Sequence, residues 1–204
     1  MATTTLANGE IYGRHAGDNC EWPAAAMELV TRTYSIPLTS FRVWDSGLHL
    51  GSTASADDLE IDYGAGISAS VSPVIATGDV KASSGTRKAA VPIILPDRYE
   101  SGKALTLRFF AGAGTTVADT TLTLDLEVFL SDGDGTSNAD ICATAAQSIN
   151  SLTHANFDFT ITPTGRSAGE LLWALVSIAY TDAATGTTVQ GQFGKCDLIA
   201  VCRG

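Results

Sequence analysis

The stretch TLTLDLEVFL, residues 121–130, decides how this chain is read. Leu122, Leu124, Leu126, Val128 and Leu130 alternate with Thr121, Thr123, Asp125 and Glu127, and only Phe129 interrupts the polar set. Successive side chains of a strand point to opposite faces, so a period of two describes a β-strand with one face in a core and the other toward solvent.

Working outward, the same pattern recurs in short pieces. Upstream, strands are expected at 105–111, 90–95 and 72–81, with Pro96, Gly102, Gly112 and Gly114 marking breaks. Farther upstream, LVTRTYSIPL at 29–38 places Val30, Tyr34 and Ile36 on a strand that Pro37 ends or confines to a sheet edge. A short strand is expected at 41–44, with Phe41 and Val43 on one face and Arg42 and Trp44 on the other. Between 57 and 62, Leu59 and Ile61 alternate with Asp58, Glu60 and Asp62, which are expected to share an exposed face. Downstream, strands are expected at 157–161, 171–181, 187–192 and 195–202. This spacing fits an antiparallel β-sandwich or barrel.

Two segments depart from it. Ile141, Ala145, Ile149 and Leu152 recur at helical spacing behind Ser137 or Asn138 as N-cap, with Asp140 in the first turn, which predicts one short α-helix against a side or end of the sandwich. Residues 1–26 follow neither period and mix Gly, Asn and Pro with Tyr12 and Trp22. They read as an extended N-terminal arm preceding a β-sandwich domain at 27–204. Such an arm lies across a neighbour, with Tyr12 and Trp22 as partner-binding anchors, or folds onto its own domain. The segment LLWALVSIAYT at 171–181, which carries Trp173, is apolar on both faces. One face belongs to the opposite sheet, and the other calls for the helix or another subunit.

Bulk properties narrow the function classes. A chain of 204 residues buries about 70% of its unfolded surface and needs no staple to hold a core. Its net charge of −10, with twelve scattered Lys and Arg, argues against nucleic acid as a partner. No run approaches the roughly 18 apolar residues of a membrane span, and the first ten residues lack the features of a signal peptide, so synthesis in the cytosol and no membrane partner are expected. Cys20, Cys142, Cys196 and Cys202 form no CxxC pair and are read as free thiols.

Four patterns bear on chemistry. Asp132, Asp134 and Asp140 in SDGDGTSNAD are a calcium candidate, but the twelfth position counted from Asp132 is Ala143 rather than Glu, and an Asx-rich turn explains them without a metal. His15, His49 and His154 fall in arm or loop segments, and no GxSxG is present. The acids at 57–62 could supply a glycosidase pair, but a solvated strand face that discourages edge-to-edge aggregation explains them, and no phosphate-binding glycine loop occurs. The expectation is a protein that is not an enzyme and uses no cofactor. Exposed aromatics beside polar loops would instead make a carbohydrate- or receptor-binding module, with Trp44, Tyr63 and Tyr99 as candidates. A non-viral filament or shell subunit is the third reading.

Several phrases together resemble structural virion proteins of tailed phages and prophages: IPLTSFRVWDSG (36–47), ASADDLEI (54–61), ILPDRYESGKALTLRFFAG (94–112), LTLDLEVFLSDGDG (122–135), CATAAQSIN (142–150) and FTITPTGRSAGELLWALV (159–176). The resemblance leaves the arm uncovered and carries no catalytic signature. It implies a jelly-roll-like sandwich and a capsid decoration or cement protein, bound to the major capsid protein or another virion protein. It also implies a homo-oligomer such as a trimer and a location in the virion after assembly in the host cytoplasm.

Overall fold

The computed structural model describes residues 28–204 apart from 65, 69, 70, 184 and 185, together with the backbone of two short strands near the N-terminus. In chain order the strands are β1 (Thr4–Thr5), β2 (Ile11–Tyr12), β3 (Leu29–Ile36), β4 (Glu60–Asp62), β5 (Val74–Ala76), β6 (Ser84–Ile94), β7 (Leu105–Ala113), β8 (Thr120–Leu130), β9 (Gln147–Ser148), β10 (Ala155–Ile161), β11 (Leu171–Asp182) and β12 (Gly191–Arg203). β1 and β2 pair antiparallel with each other. The rest of the arm, Trp22 included, and the side chain of Tyr12 lie outside the described residues.

Two antiparallel sheets form a sandwich. In the first, β3 pairs β12, β12 pairs β7 and β7 pairs β10. In the second, the order is β6-β11-β8-β9. Setting aside β4 and β5, which add to the first sheet beside β12, the eight remaining domain strands alternate between sheets as 1-8-3-6 and 2-7-4-5. That is the strand order of a jelly roll.

The core follows the alternation read from the sequence. Leu122, Leu124, Leu126 and Val128 of β8 are buried, as are Leu172, Ala174, Val176 and Ile178 of β11. They face Leu107, Phe109, Phe159, Phe193 and Leu198 of the other sheet, all buried. Four of the buried rings form a chain, Phe41–Phe193–Phe109–Phe159, with centroids 5.2–5.8 Å apart and mostly edge-to-face.

Four expectations are corrected. No helix forms at 141–152; among the described residues the only helical element is the 3₁₀ turn Leu38–Ser40. The backbone is instead held extended by partners distant in sequence: the Ile141 N–H donates to the Val128 carbonyl, Ala143 to Thr160 and Ile149 to Leu122, each at 2.8–2.9 Å. The segment bridges the β8 edge of one sheet and the β10 edge of the other, and these tertiary bonds outweigh the helical propensity of its alanines, which Thr144, Ser148, Asn150 and Ser151 already dilute. Second, Glu60 is buried rather than exposed: its carboxylate accepts from the Ala54 N–H, and the strand is covered on both faces. Third, residues 187–189 form no strand, and Gly191 opens a thirteen-residue β12 that shifts register between Phe193 and Lys195. Fourth, residues 41–44 make only two isolated bridges, Arg42 with Ala90 and Arg42 with His49. The Ala90 bridge and the one from Asp58 to Lys88 line the outer edge of β6. Pro37 does close β3, which lies at a sheet edge.

Candidate functional site

The solvent-side face of β6, β11 and β8 is where the doubly apolar strand leads. Register pairs Trp173 with Pro92 on one side and Phe129 on the other, and Leu171 with Ile94; the next row is Ala90, Leu175 and Glu127. Paired residues share a face, so Ile94, Leu171, Pro92, Trp173 and Phe129 form a continuous apolar area. Ile94 is 68% exposed and Trp173 40%. Farther along, the same face turns polar through Lys88, Ser177 and Asp125, one row across the three strands.

At its margin Lys88 Nζ sits 4.5 Å from the centre of the Trp44 ring, and Trp44 Nε1 donates to Asp57 at 3.2 Å. Trp44 is thus half-buried and occupied by local contacts. Among the described residues no helix covers β11 on this side, because the segment expected to supply it is extended and lies elsewhere.

The solvent face of the other sheet differs. Ser35, Asp197, Arg108 and Asp158 lie in one row across β3, β12, β7 and β10. Ser35 Oγ donates to Asp197 at 2.7 Å, Lys195 reaches the other Asp197 oxygen at 2.8 Å, and Arg108 grips Asp158 with two bonds of 2.6 and 2.7 Å. The Arg108 guanidinium holds the Asp158 carboxyl below the usual carboxylate range. This face satisfies its own polar groups.

Two concavities are lined by described residues. A groove of about 490 Å³ opens between β3 and the end of β6, lined by Arg32, Tyr34, Ile94, Leu95, Pro96, Asp97 and Arg98. A smaller cleft of about 250 Å³ is lined by Leu38, Thr39, Phe41, His49, Leu50, Ser52, Ile61 and Tyr63. Of the aromatics expected in a binding module, Tyr63 is 38% exposed there. Tyr99 is buried, with its hydroxyl donating to the Lys103 carbonyl at 2.6 Å, so it offers nothing to a ligand.

The acidic run at 132–140 is a set of turns. Asp134 Oδ1 accepts from the Thr136 N–H and hydroxyl at 2.9 and 2.6 Å, and the Asn138 amide reaches Asp132 at 3.2 Å. Asp140 is directed elsewhere, with Oδ1 accepting from the Val128 and Cys142 N–H groups at 2.7 and 2.9 Å. Among the described residues no three His, Cys, Asp or Glu side chains are grouped to hold a metal. Cys142, Cys196 and Cys202 are free, and burial pushes the Cys196 thiol far above its ordinary range. His154 meets the Gln192 amide at 3.1 Å and lies against Phe110, and His49 is exposed.

Trp173 and Phe129 were visible in the sequence. Pro92 and Ile94 were not singled out, although VPIIL at 91–95 is apolar at consecutive positions, which is the signal of a strand with two apolar faces.

Neither a protein-family model nor a curated protein sequence matches the chain. Solved structures do. The xylan-binding module CBM15 is 11% identical at a TM-score of 0.45, over 86% of this chain and 100% of that one. The C-terminal family 22 carbohydrate-binding module of Clostridium thermocellum Xyn10B is 13% identical at 0.41, over 81% and 88%. The infectious bursal disease virus Gt strain structure is 14% identical at 0.41, over 85% of this chain and 32% of that one. At such identities and scores the likeness carries no argument about function, and the fold stands on the strand order described above.

Proposed function

We propose that the chain is a non-catalytic structural protein of a virion, a capsid decoration or cement protein, that docks on a neighbouring protein through the outer face of β6, β11 and β8. One observation carries this reading: the apolar area of Ile94, Leu171, Pro92, Trp173 and Phe129 on the solvent side of a sheet whose counterpart presents ion pairs. Contiguous exposed apolar surface marks interaction sites, and tryptophan is over-represented among the residues that dominate binding energy. The neighbours of Trp173 favour a protein over a sugar, because the directly adjacent positions are proline, leucine, isoleucine and phenylalanine, and Glu127 at the diagonal is the one polar group of the next row. The virion context comes from the resemblance of the quoted phrases.

The test is co-sedimentation of the protein with its native particle, with size-exclusion chromatography to read self-association. With 40% of Trp173 exposed, about 100 Å² remains to be buried on docking, worth about 2.5 kcal/mol or about sixty-fold in affinity. Trp173→Ser is therefore expected to release the protein from the particle while it stays folded. Undiminished binding by a folded Trp173→Ser, Ile94→Ser double variant removes this face from the function.

The cleft with Tyr63 supports a second reading, a glycan-binding module, since Thr39, His49 and Ser52 line it beside the exposed ring. Glycan-array binding lost in Tyr63→Ala and kept in Trp173→Ser would favour it.

A further inference from the structure

We infer that the mouth of the sandwich between β3 and the end of β6 binds an extended acidic peptide segment of a partner protein, taken up as an added strand on β3 with a carboxylate held between Arg32 and Arg98. This site is separate from the outer face proposed above, although Ile94 belongs to both.

Three observations converge on it. The first is an open edge. Among the described residues β3 is hydrogen-bonded to β12 alone, and the Gly204 N–H reaches the Glu28 carbonyl at 2.8 Å, so even-numbered residues of β3 direct their backbone groups to β12. Thr31, Thr33 and Ser35 accordingly direct theirs outward, as alternate residues of an antiparallel edge do. Among the described residues nothing pairs with them. Among the described residues the sandwich's other edges have contacts, β6 the bridges from Arg42 and Asp58, β8 and β10 the segment at 141–149, and β4 a bond from the Ile61 N–H to the Gly51 carbonyl. An unpaired edge is the element that strand-adding recognition uses.

The second is charge. Seven arginines fall among the described residues, and five have partners: Arg42 and Arg87 bond to carbonyls, while Arg108, Arg166 and Arg203 pair with carboxylates. The guanidiniums of Arg32 and Arg98 make no ion pair or hydrogen bond there, and both line the same groove. They come from separate places, β3 and the turn after β6. Asp97 shares the groove and forms no ion pair with either. Two unmatched guanidiniums converging in a chain of net charge −10 select an anion, and arginine prefers a carboxylate in bidentate geometry.

The third is shape. Arg32 pairs with Ala200 and Tyr34 with Leu198, both buried, so Arg32 and Tyr34 stand on the core side of β3, overhanging the gap to β6. A strand laid along β3 would set alternate side chains into that gap, where Ile94 and Pro96 supply apolar wall. A charge directed inward from an edge strand also discourages aggregation. Arg32 alone would serve that purpose, and it leaves Arg98 unexplained.

The experiment uses the full chain and three fluorescein-labelled octapeptides, matching the eight residues of β3: alternating Val-Glu, Val-Gln and Val-Lys. Fluorescence polarisation is expected to rank Glu above Gln by about tenfold, with Lys unbound and the preference shrinking as salt is raised. Arg32→Gln and Arg98→Gln should each remove the Glu preference. Thr33→Pro, which deletes an outward N–H without touching the β12 ladder, should weaken both Glu and Gln peptides about equally. Thermal melting verifies each variant; if Arg32→Gln does not fold, Arg98→Gln in its exposed turn decides the charge term. Equal binding of Glu and Gln peptides, indifference to both arginines, or no peptide binding at all overturns the proposal. Arginine-dependent binding of an oligogalacturonide that Thr33→Pro leaves intact also overturns it, by making the groove an acidic-glycan site.

Discussion

Asp140→Ala tests the most consequential difference between sequence pattern and structure. Asp140 stands before a run with helical spacing, where it would be a first-turn acid worth about 0.3–1 kcal/mol. In the structure its Oδ1 holds the Val128 N–H at 2.7 Å and the Cys142 N–H at 2.9 Å, fastening the extended segment to the edge of β8. A hydrogen bond to a charged acceptor contributes about 1.5–3 kcal/mol, and because the Cys142 bond is exposed and shares its oxygen with the other, the pair is worth about 2–3 kcal/mol. For a domain of this size that is a fall in Tm of about 5–10 °C. Asp140→Asn keeps an acceptor of lower charge and should lose about half as much. Urea unfolding followed by tryptophan fluorescence reads both variants. A loss below about 1 kcal/mol for Asp140→Ala, or no difference between Ala and Asn, refutes the fastening role.

Phe109→Ala removes the ring that touches both Phe159 and Phe193, and is expected to cost about 3–5 kcal/mol, read as a lower urea midpoint. Cys196, buried with its thiol pushed far above the ordinary range, should resist iodoacetamide in the native protein and react after unfolding, as mass spectrometry would show. The Asp158 carboxyl is depressed in the folded state by Arg108, so its contribution is present at neutral pH and is lost as pH falls through the carboxylate range, where the unfolded chain takes up the proton first. Asp158→Asn should therefore flatten the acid limb of a stability profile, by a small amount because the pair is exposed.

The features legible in the sequence were those carried by local pattern. β8 announces itself through strict alternation, and β11 and most of β7 and β10 follow from the same period. The run at 141–152 misled because Ile141, Ala145, Ile149 and Leu152 satisfy a helical period by coincidence, while the bonds that decide its shape come from Val128, Thr160 and Leu122, which no local window contains. Glu60 was placed outside for the same reason: alternation shows that one face is buried, and it cannot show that insertion beside β5 buries the other. At the candidate site, Trp173 was visible as an apolar residue on the second face of an apolar strand. The convergence of Arg32 with Arg98 was not, because it depends on β3 and the turn after β6 meeting across more than sixty residues of chain.

The distribution of unmet interactions over this sandwich is uneven, and that unevenness is the strongest functional statement the molecule makes. A solitary jelly roll needs polar outer faces and protected edges. One outer face complies along its row from Ser35 through Asp197 and Arg108 to Asp158, hydrogen-bonded or ion-paired at each end, with Phe110 beside that row 42% exposed. The edges at β6, β8 and β10 comply as well. Among the described residues the apolar area centred on Trp173 and the open edge of β3 with its two unmatched arginines depart from that rule, and Ile94 joins them, paired with Leu171 on the face and lining the groove at the mouth. A partner that covered both would meet apolar surface on one side of Ile94 and a strand edge with positive charge on the other. Under the docking proposed above, such a surface would suit a polypeptide, which offers apolar side chains, a backbone to pair and a carboxylate within one continuous contact.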